Sequence, residues 1–169
     1  NGIDTVELAQ QVYNTYNSLR PDGIFIDGGG VGGGVVDNCR KQRLHVFEVQ
    51  FGGKDDVGGA PWGIEGERYA NKRAAMYGAC RAWIKTGALP DDPELKRQML
   101  SIKYTFNKQD AIQLIAKEDL EDEDGNRVSV DDIDALVLTF AYPVEPAERS
   151  GGLHAQHQAP SNIAEYEYN

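Results

Sequence analysis

Asp27 is the first residue whose type and setting suggest chemistry. It follows the apolar run Ile24-Phe25-Ile26 and opens the turn Gly28-Gly29-Gly30-Val31-Gly32-Gly33-Gly34. A carboxylate at the tip of a buried strand is a hard-oxygen donor of the kind a divalent cation takes. The spacing Gly28-x-Gly30-x-x-Gly33 also satisfies the dinucleotide fingerprint, with Glu48 about 20 residues on, where a ribose-binding acid would sit. Asp27 opposes that second reading, because its charge would face a pyrophosphate at close range in a weakly screened pocket. Glycines there let the backbone pass close to whatever Asp27 holds, and a cation suits it better than an anion. A tight strand-to-helix turn with a surface aspartate accounts for the glycines equally well.

The segment Ser129-Val130-Asp131-Asp132-Ile133-Asp134-Ala135-Leu136 holds the next candidates. Ser129 as N-cap and Asp132 at the third helical position would make a capping-box-like start, and acidic residues in a first turn complement the helix dipole. Ile133, Leu136, Val137 and Phe140 form the main apolar stripe. At ~100° per residue, Asp131, Asp134, Leu138 and Ala141 line up as a second ridge beside it. Carboxylates topping such a ridge face protein, and buried like charges need a compensating positive charge. A divalent metal would supply it. Capping and solvation are the alternative for both residues.

The elements that must position these groups follow from periodicity and punctuation. Asp4-Thr5-Val6-Glu7 is a capping box opening a helix to about Leu19, stopped by Arg20-Pro21-Asp22-Gly23. A strand at Ile24–Ile26, a helix over Val35–Gln42 and a strand over Leu44–Phe51 make a β-α-β unit, which implies parallel pairing. Residues 52–66, with Pro61, read as a loop. Helices are expected over Glu67–Lys85 and Pro93–Leu100. Two strands, Ile102–Phe106 and Ala111–Ala116, flank a turn at Asn107–Asp110. An acidic stretch, Lys117–Asp124, ends at Gly125-Asn126, and a last helix runs from Ser129 to about Tyr142. The organisation is one domain over residues 1–142 and a polar tail or linker over 143–169.

Composition narrows the function classes. The 169 residues are 40% hydrophobic and 26% charged, ordinary for a globular chain, and no apolar run approaches the roughly 20 residues of a membrane span. Two cysteines, Cys39 and Cys80, are too few for a disulfide framework and read as small buried hydrophobes. A formal net charge of −10 opposes binding nucleic acid by bulk electrostatics, while a carboxylate surplus suits a hard-cation site.

Other constellations are weaker. Asp122-Glu123-Asp124-Gly125 resembles part of an EF-hand loop, but position one would be Leu120, so a solvated acidic turn is the better reading. His154-x-x-His157 lies in the tail without Cys or carboxylate partners. Arg68, Lys72, Arg81 and Lys85 read as the solvated face of the long helix. Lys117 could neutralise the candidate carboxylates. No phosphate loop is present: Gly53-Lys54 is followed by Asp55.

Three stretches carry a family resemblance: Ile24-Phe25-Ile26-Asp27 with its glycine turn to Asp37; Tyr69-Ala70-Asn71-Lys72-Arg73-Ala74; and Lys117-Glu118-Asp119 followed by Ser129 to Ala141. Over about 120 residues their order and spacing resemble the nuclease domain of the terminase large subunit of tailed bacteriophages and prophages. The family's usual form has Pro where this chain has Val130.

The resemblance implies an α/β, ribonuclease-H-like fold, a mixed sheet flanked by helices. It implies a two-metal Mg2+ or Mn2+ site that hydrolyses phosphodiesters and cuts concatemeric viral double-stranded DNA during packaging in the host-cell cytoplasm. Asp27 is then the strand-end ligand, Asp131 the first helix-borne candidate, and Asp134 its substitute or a supporting group. Lys72 and Arg73 become candidates for contacting DNA phosphates, with helix docking as the alternative. Partners would be an ATPase domain carried elsewhere, a small terminase subunit and a portal protein. The fold normally begins with strands bearing another metal-binding aspartate, and the chain opens instead on the Asp4 helix, so an impaired nuclease lacking its N-terminal strands is expected. A dinucleotide-binding oxidoreductase module and a non-catalytic docking domain are the competing readings.

Overall fold

The computed structural model describes residues 2–54 and 66–146. Helix α1 spans Thr5–Leu19; Asp4 Oδ1 accepts from the amides of Val6 and Glu7, both at 2.8 Å. It ends where Arg20 adopts φ 48° and donates its amide to the Tyr16 carbonyl. Strand β1 (Phe25–Asp27) leads through the glycine turn into helix α2 (Gly32–Lys41), and strand β2 (Phe47–Val49) pairs parallel to β1. The register sets Phe25 beside Phe47, Ile26 beside Glu48 and Asp27 beside Val49. The expected β-α-β unit is therefore present, with a second strand shorter than Leu44–Phe51.

Beyond β2 the backbone turns to helix partners. Just beyond β2, the Phe51 carbonyl accepts the Arg73 amide at 3.1 Å and the Gly53 carbonyl accepts the Lys72 amide at 2.9 Å. The start of helix α3 (Lys72–Trp83) is thus tied to the chain just after β2. The expected helix over Glu67–Lys85 is corrected at both ends. Asn71 caps α3 by accepting from the Ala74 amide, and Tyr69 forms an isolated bridge to Ile112 instead of a helical turn.

Helix α4 (Pro93–Ser101) is capped by Asp92, and strands β3 (Tyr104–Phe106) and β4 (Ile112–Leu114) form the expected antiparallel hairpin. Among the described residues the parallel and antiparallel pairs are separate two-stranded sheets rather than one mixed sheet. The final helix, α5, runs Asp131–Leu138, and Thr139, Phe140 and Ala141 continue it only as tighter i→i−3 turns.

Strand alternation divides the core into two layers around β1 and β2. Ile24, Ile26 and Val46 pack with Ala9 of α1 and with Val35, Val36 and Cys39 of α2. Phe25 and Val49 point the other way, into a cluster with Met76, Tyr77 and Cys80 of α3 and Ile133 and Val137 of α5. Val36, Val49, Met76, Ile133 and Val137 are fully enclosed. Burying each such side chain contributes about 1.5–3 kcal/mol. By the same alternation Asp27 belongs to the α3/α5 face. Glu48 belongs to the opposite face, where Arg40 of α2 pairs with it at 3.3 Å. No helix among the described residues is long and apolar enough to cross a membrane.

Candidate metal centre

The glycine turn is built for close packing of α2 on the end of β1. A Cβ on Gly32 would stand 1.8 Å from the Asp27 carbonyl oxygen, and one on Gly28 would meet Gln50 Nε2 at 2.4 Å and Glu48 Oε1 at 2.6 Å. Gly30 adopts φ 57°, a conformation that glycine takes without strain. Gly32 and Gly30 need glycine for packing and backbone reasons, with no pyrophosphate required, while Gly28 meets only side-chain ends, and Glu48 is engaged by Arg40 and Gln50. Asp27 closes the strand with Oδ1 accepting from the Gly29 amide at 3.0 Å, and no ion pair engages it among the described residues.

The two helix-borne aspartates have opposite fates. Asp131 is exposed at the start of α5, its Oδ2 accepting from the Ser129 hydroxyl at 2.6 Å. Asp134 is buried. Its Oδ1 accepts from Tyr77 Oη at 2.8 Å and from Arg73 Nε at 3.1 Å, both donors coming from α3. Its Oδ2 forms an ion pair with Lys117 Nζ yet accepts no hydrogen bond. The sequence ridge through Asp131 and Asp134 therefore turns inward only from Asp134 onward, with Ala141 buried on the same side.

The expected Ser129 cap is corrected as well. Val130 is the N-cap and offers no side-chain bond; Gln98 of α4 does the work instead. Its Oε1 accepts from the amides of Asp132 at 3.0 Å and Ile133 at 3.2 Å, while its Nε2 donates to Asp132 Oδ2 at 2.8 Å. A cap supplied by a distant helix leaves no local sequence signal. Freed from capping, Ser129 bonds Asp131.

Asp27 ends β1, and Arg73, which holds Asp134, bonds the chain two residues beyond the end of β2. Gly28 N donates to the Val49 carbonyl at 2.8 Å, and two residues further on the Phe51 carbonyl receives the Arg73 amide at 3.1 Å. Lys117 Nζ lies 5.9 Å from the Phe51 ring centre, and α5 packs beside β1. Lys117 thus does what its sequence position allowed, setting its charge against a candidate carboxylate. Arg73 is 12% exposed and committed to Asp134, so it is placed to dock α5 rather than to reach outward. Lys72 donates to the Ala141 carbonyl at 2.9 Å and stands 4.4 Å from the Tyr142 ring centre. Arg68, Arg81 and Lys85 are exposed, Arg81 pairing with Glu67, whereas Lys72 is half-buried. His154 and His157 lie outside the described residues.

Tyr77 was not legible as a site residue, although its i,i+4 spacing from Arg73 puts both on one face of α3. Burial, and then the Asp134 charge, push the Tyr77 hydroxyl far above its ordinary range, so it remains a donor. Arg73 and Lys117 set two positive charges against the single charge of Asp134.

Asp27, a carboxylate that no ion pair engages among the described residues, is a donor of the kind a hard cation takes. Asp134 Oδ2 is buried and ion-paired with Lys117, and Arg73 engages Oδ1, so its charge is already met by protein cations. Mg2+ typically takes one or two carboxylates and keeps several waters. Three or more Asp, Glu, His or Cys side chains do not gather into a ligand cluster among the described residues.

No protein-family model matches the chain, and no curated relative does. Solved structures do. A lysine-to-alanine variant of the nuclease domain of the large terminase subunit gp2 of bacterial virus Sf6, with manganese, superposes with a TM-score of 0.58 at 20% identity. It covers 83% of this chain and 75% of that one. The same variant with manganese and beta-thujaplicinol gives a TM-score of 0.59 at 19% identity over 85% and 75% of the two chains. The unsubstituted Sf6 gp2 nuclease domain gives 0.58 at 20% over 84% and 74%. The chain therefore shares its fold with the nuclease domain of a bacteriophage large terminase subunit.

Proposed function

We propose that the chain is a metal-dependent DNA endonuclease domain of ribonuclease-H-like fold that cuts concatemeric viral double-stranded DNA during genome packaging. What supports this reading is Asp27 at the tip of β1, a carboxylate that no ion pair engages among the described residues, at the strand end beyond which α3 bonds the chain. The fold shared with a terminase nuclease domain, and the manganese in two of the neighbour structures, agree with it.

In this reading Asp27 holds Mg2+ or Mn2+, and Asp131 is the exposed helix-borne candidate. The bound ions would activate water and stabilise the leaving oxygen, as in two-metal hydrolysis. This chain's own part is to present Asp27 at the strand end and to keep Asp134 in place from α3 and Lys117. The ATPase domain, small terminase subunit and portal protein are the proposed partners, and the host-cell cytoplasm the proposed location. Asp27 and Asp131 are fewer carboxylates than a two-metal site normally shares, so slow cutting by this chain is expected.

Plasmid nicking tests the reading. Mn2+ should support cutting by the chain, EDTA should stop it, and Asp27→Asn should abolish it without loss of fold. Metal-independent cutting, or an Asp27→Asn protein as active as the parent, would contradict the proposal.

A further inference from the structure

Strand β3 keeps one edge open among the described residues. The Ile115 amide donates to the Lys103 carbonyl at 2.9 Å and the Asn107 amide to the Ala111 carbonyl at 3.0 Å. With Thr105 opposite Gln113, residues 103, 105 and 107 therefore turn their backbone groups toward β4, and those of Tyr104 and Phe106 point away from it. The far edge of β4 is closed, since Ile112 donates to the Arg68 carbonyl and accepts from the Ala70 amide. No described residue closes β3 in that way. Tyr104 is 53% and Phe106 60% exposed, and their rings lie edge to face at 5.8 Å.

We propose that the open edge of β3 takes the same edge of a second copy of this chain, antiparallel and centred on Thr105, making a four-stranded sheet about a two-fold axis. The inference is independent of the metal-dependent reading above. What favours a second copy is the register. Centred on Thr105, the outward backbone groups of Tyr104 meet those of the second copy's Phe106, and the symmetry repeats the pair. Thr105 then faces its own counterpart on the opposite side of the sheet. Aromatic pairs and Thr–Thr pairs are favourable cross-strand combinations. Lys103 falls opposite Asn107 and Lys108 opposite Ile102, so no like charges are opposed across the seam. Edges that avoid partners carry Lys or Pro at their outward positions. Here those positions hold two aromatic rings, and the lysines flank them. The contact is small beside a standard interface, so the dimer should form only as concentration rises.

The test is sedimentation of the 169-residue chain over a range of concentrations, beside disulfide trapping. The parent should pass from monomer to dimer as concentration rises. Phe106→Lys sets a charge in both halves of the seam. It should weaken dimerisation about tenfold or more while melting within a few degrees of the parent. Phe106→Pro, whose missing N–H faces outward and spares the β4 ladder, should act in the same way and serves as the second variant. Thr105→Cys should give a covalent dimer under diamide, because facing residues of such a pair stand about 4.5 Å apart at Cα, within disulfide reach. Gln113→Cys, one strand further out on each side and so about 14 Å from its counterpart, should not. The native Cys39 and Cys80 are buried and stay out of the reaction. A chain that remains monomeric, a dimer indifferent to both Phe106 variants, or equal trapping at positions 105 and 113 would overturn the proposal. So would a monomer whose Tyr104 and Phe106 amides exchange slowly, since a segment of the same chain would then cover the edge.

Discussion

Arg73 Nε lies 3.1 Å from Asp134 Oδ1 across 61 positions of sequence, and this pair ties α3 to α5 inside the core. A buried charge whose partner is removed costs about 3–5 kcal/mol. Asp134→Ala strands Arg73, which is 12% exposed, and takes the acceptor from Tyr77. Its melting temperature should drop well below that of the parent. Lys117→Ala should cost far less, about 0–1 kcal/mol, because the Lys117 side chain is 45% exposed and solvent screens its pair. Equal losses for the two variants, measured by urea unfolding, would refute the central place given to Arg73.

Gly32→Ala puts a methyl 1.8 Å from the Asp27 carbonyl oxygen, a backbone atom that cannot swing aside. Overpacking of this kind costs about 1–3 kcal/mol or more, and the end of β1 should move with it. Gly30→Ala meets nothing within 4 Å and suffers only from its φ of 57°, a penalty of about 1–2 kcal/mol. Urea midpoints for the pair should rank Gly32→Ala as the worse.

Gln98→Ala should fray the start of α5, since the amides of Asp132 and Ile133 lose their acceptor. Loss of a helix cap costs about 0.5–2 kcal/mol. Hydrogen exchange should speed at those amides, whereas Ser129→Ala should leave them protected.

Cys39 and Cys80 are buried, and burial pushes both thiols up from their ordinary range. Neither should react with a thiol reagent such as DTNB in the native chain near neutral pH, and both should react once guanidinium unfolds it. Fast native labelling would show an open route into one of the two core layers.

Asp122 is held below the ordinary carboxylate range, first by the Asn126 amide, with the Asp124 amide and Arg97 adding to it. Its folded-state pKa lies below the unfolded one, so its stabilising effect is present above the unfolded value and lost as pH falls through the folded value. The melting temperature should therefore decline below about pH 4, and Asp122→Asn should flatten that decline.

Local chemistry made much of this protein readable from sequence alone. Asp4 and Asp92 cap their helices through amides two and three residues away, and the Asn107–Asp110 turn makes its own bonds, so short-range physics suffices there. The parallel β1–β2 pair followed from strand, glycine turn, helix and strand in order. Asp27 was legible because strand end and carboxylate adjoin.

Tertiary structure decided the rest. Helix periodicity put Asp131 and Asp134 on one ridge, but how deep each lies depends on where α5 begins and what it packs against. Gln98, 34 positions before Asp132, sets that beginning. Arg73, Tyr77 and Lys117 arrive at Asp134 from elements that no local rule brings together. Their meeting needs the whole chain, because a buried carboxylate finds its positive charge only once α3 and α5 close on the end of the parallel pair.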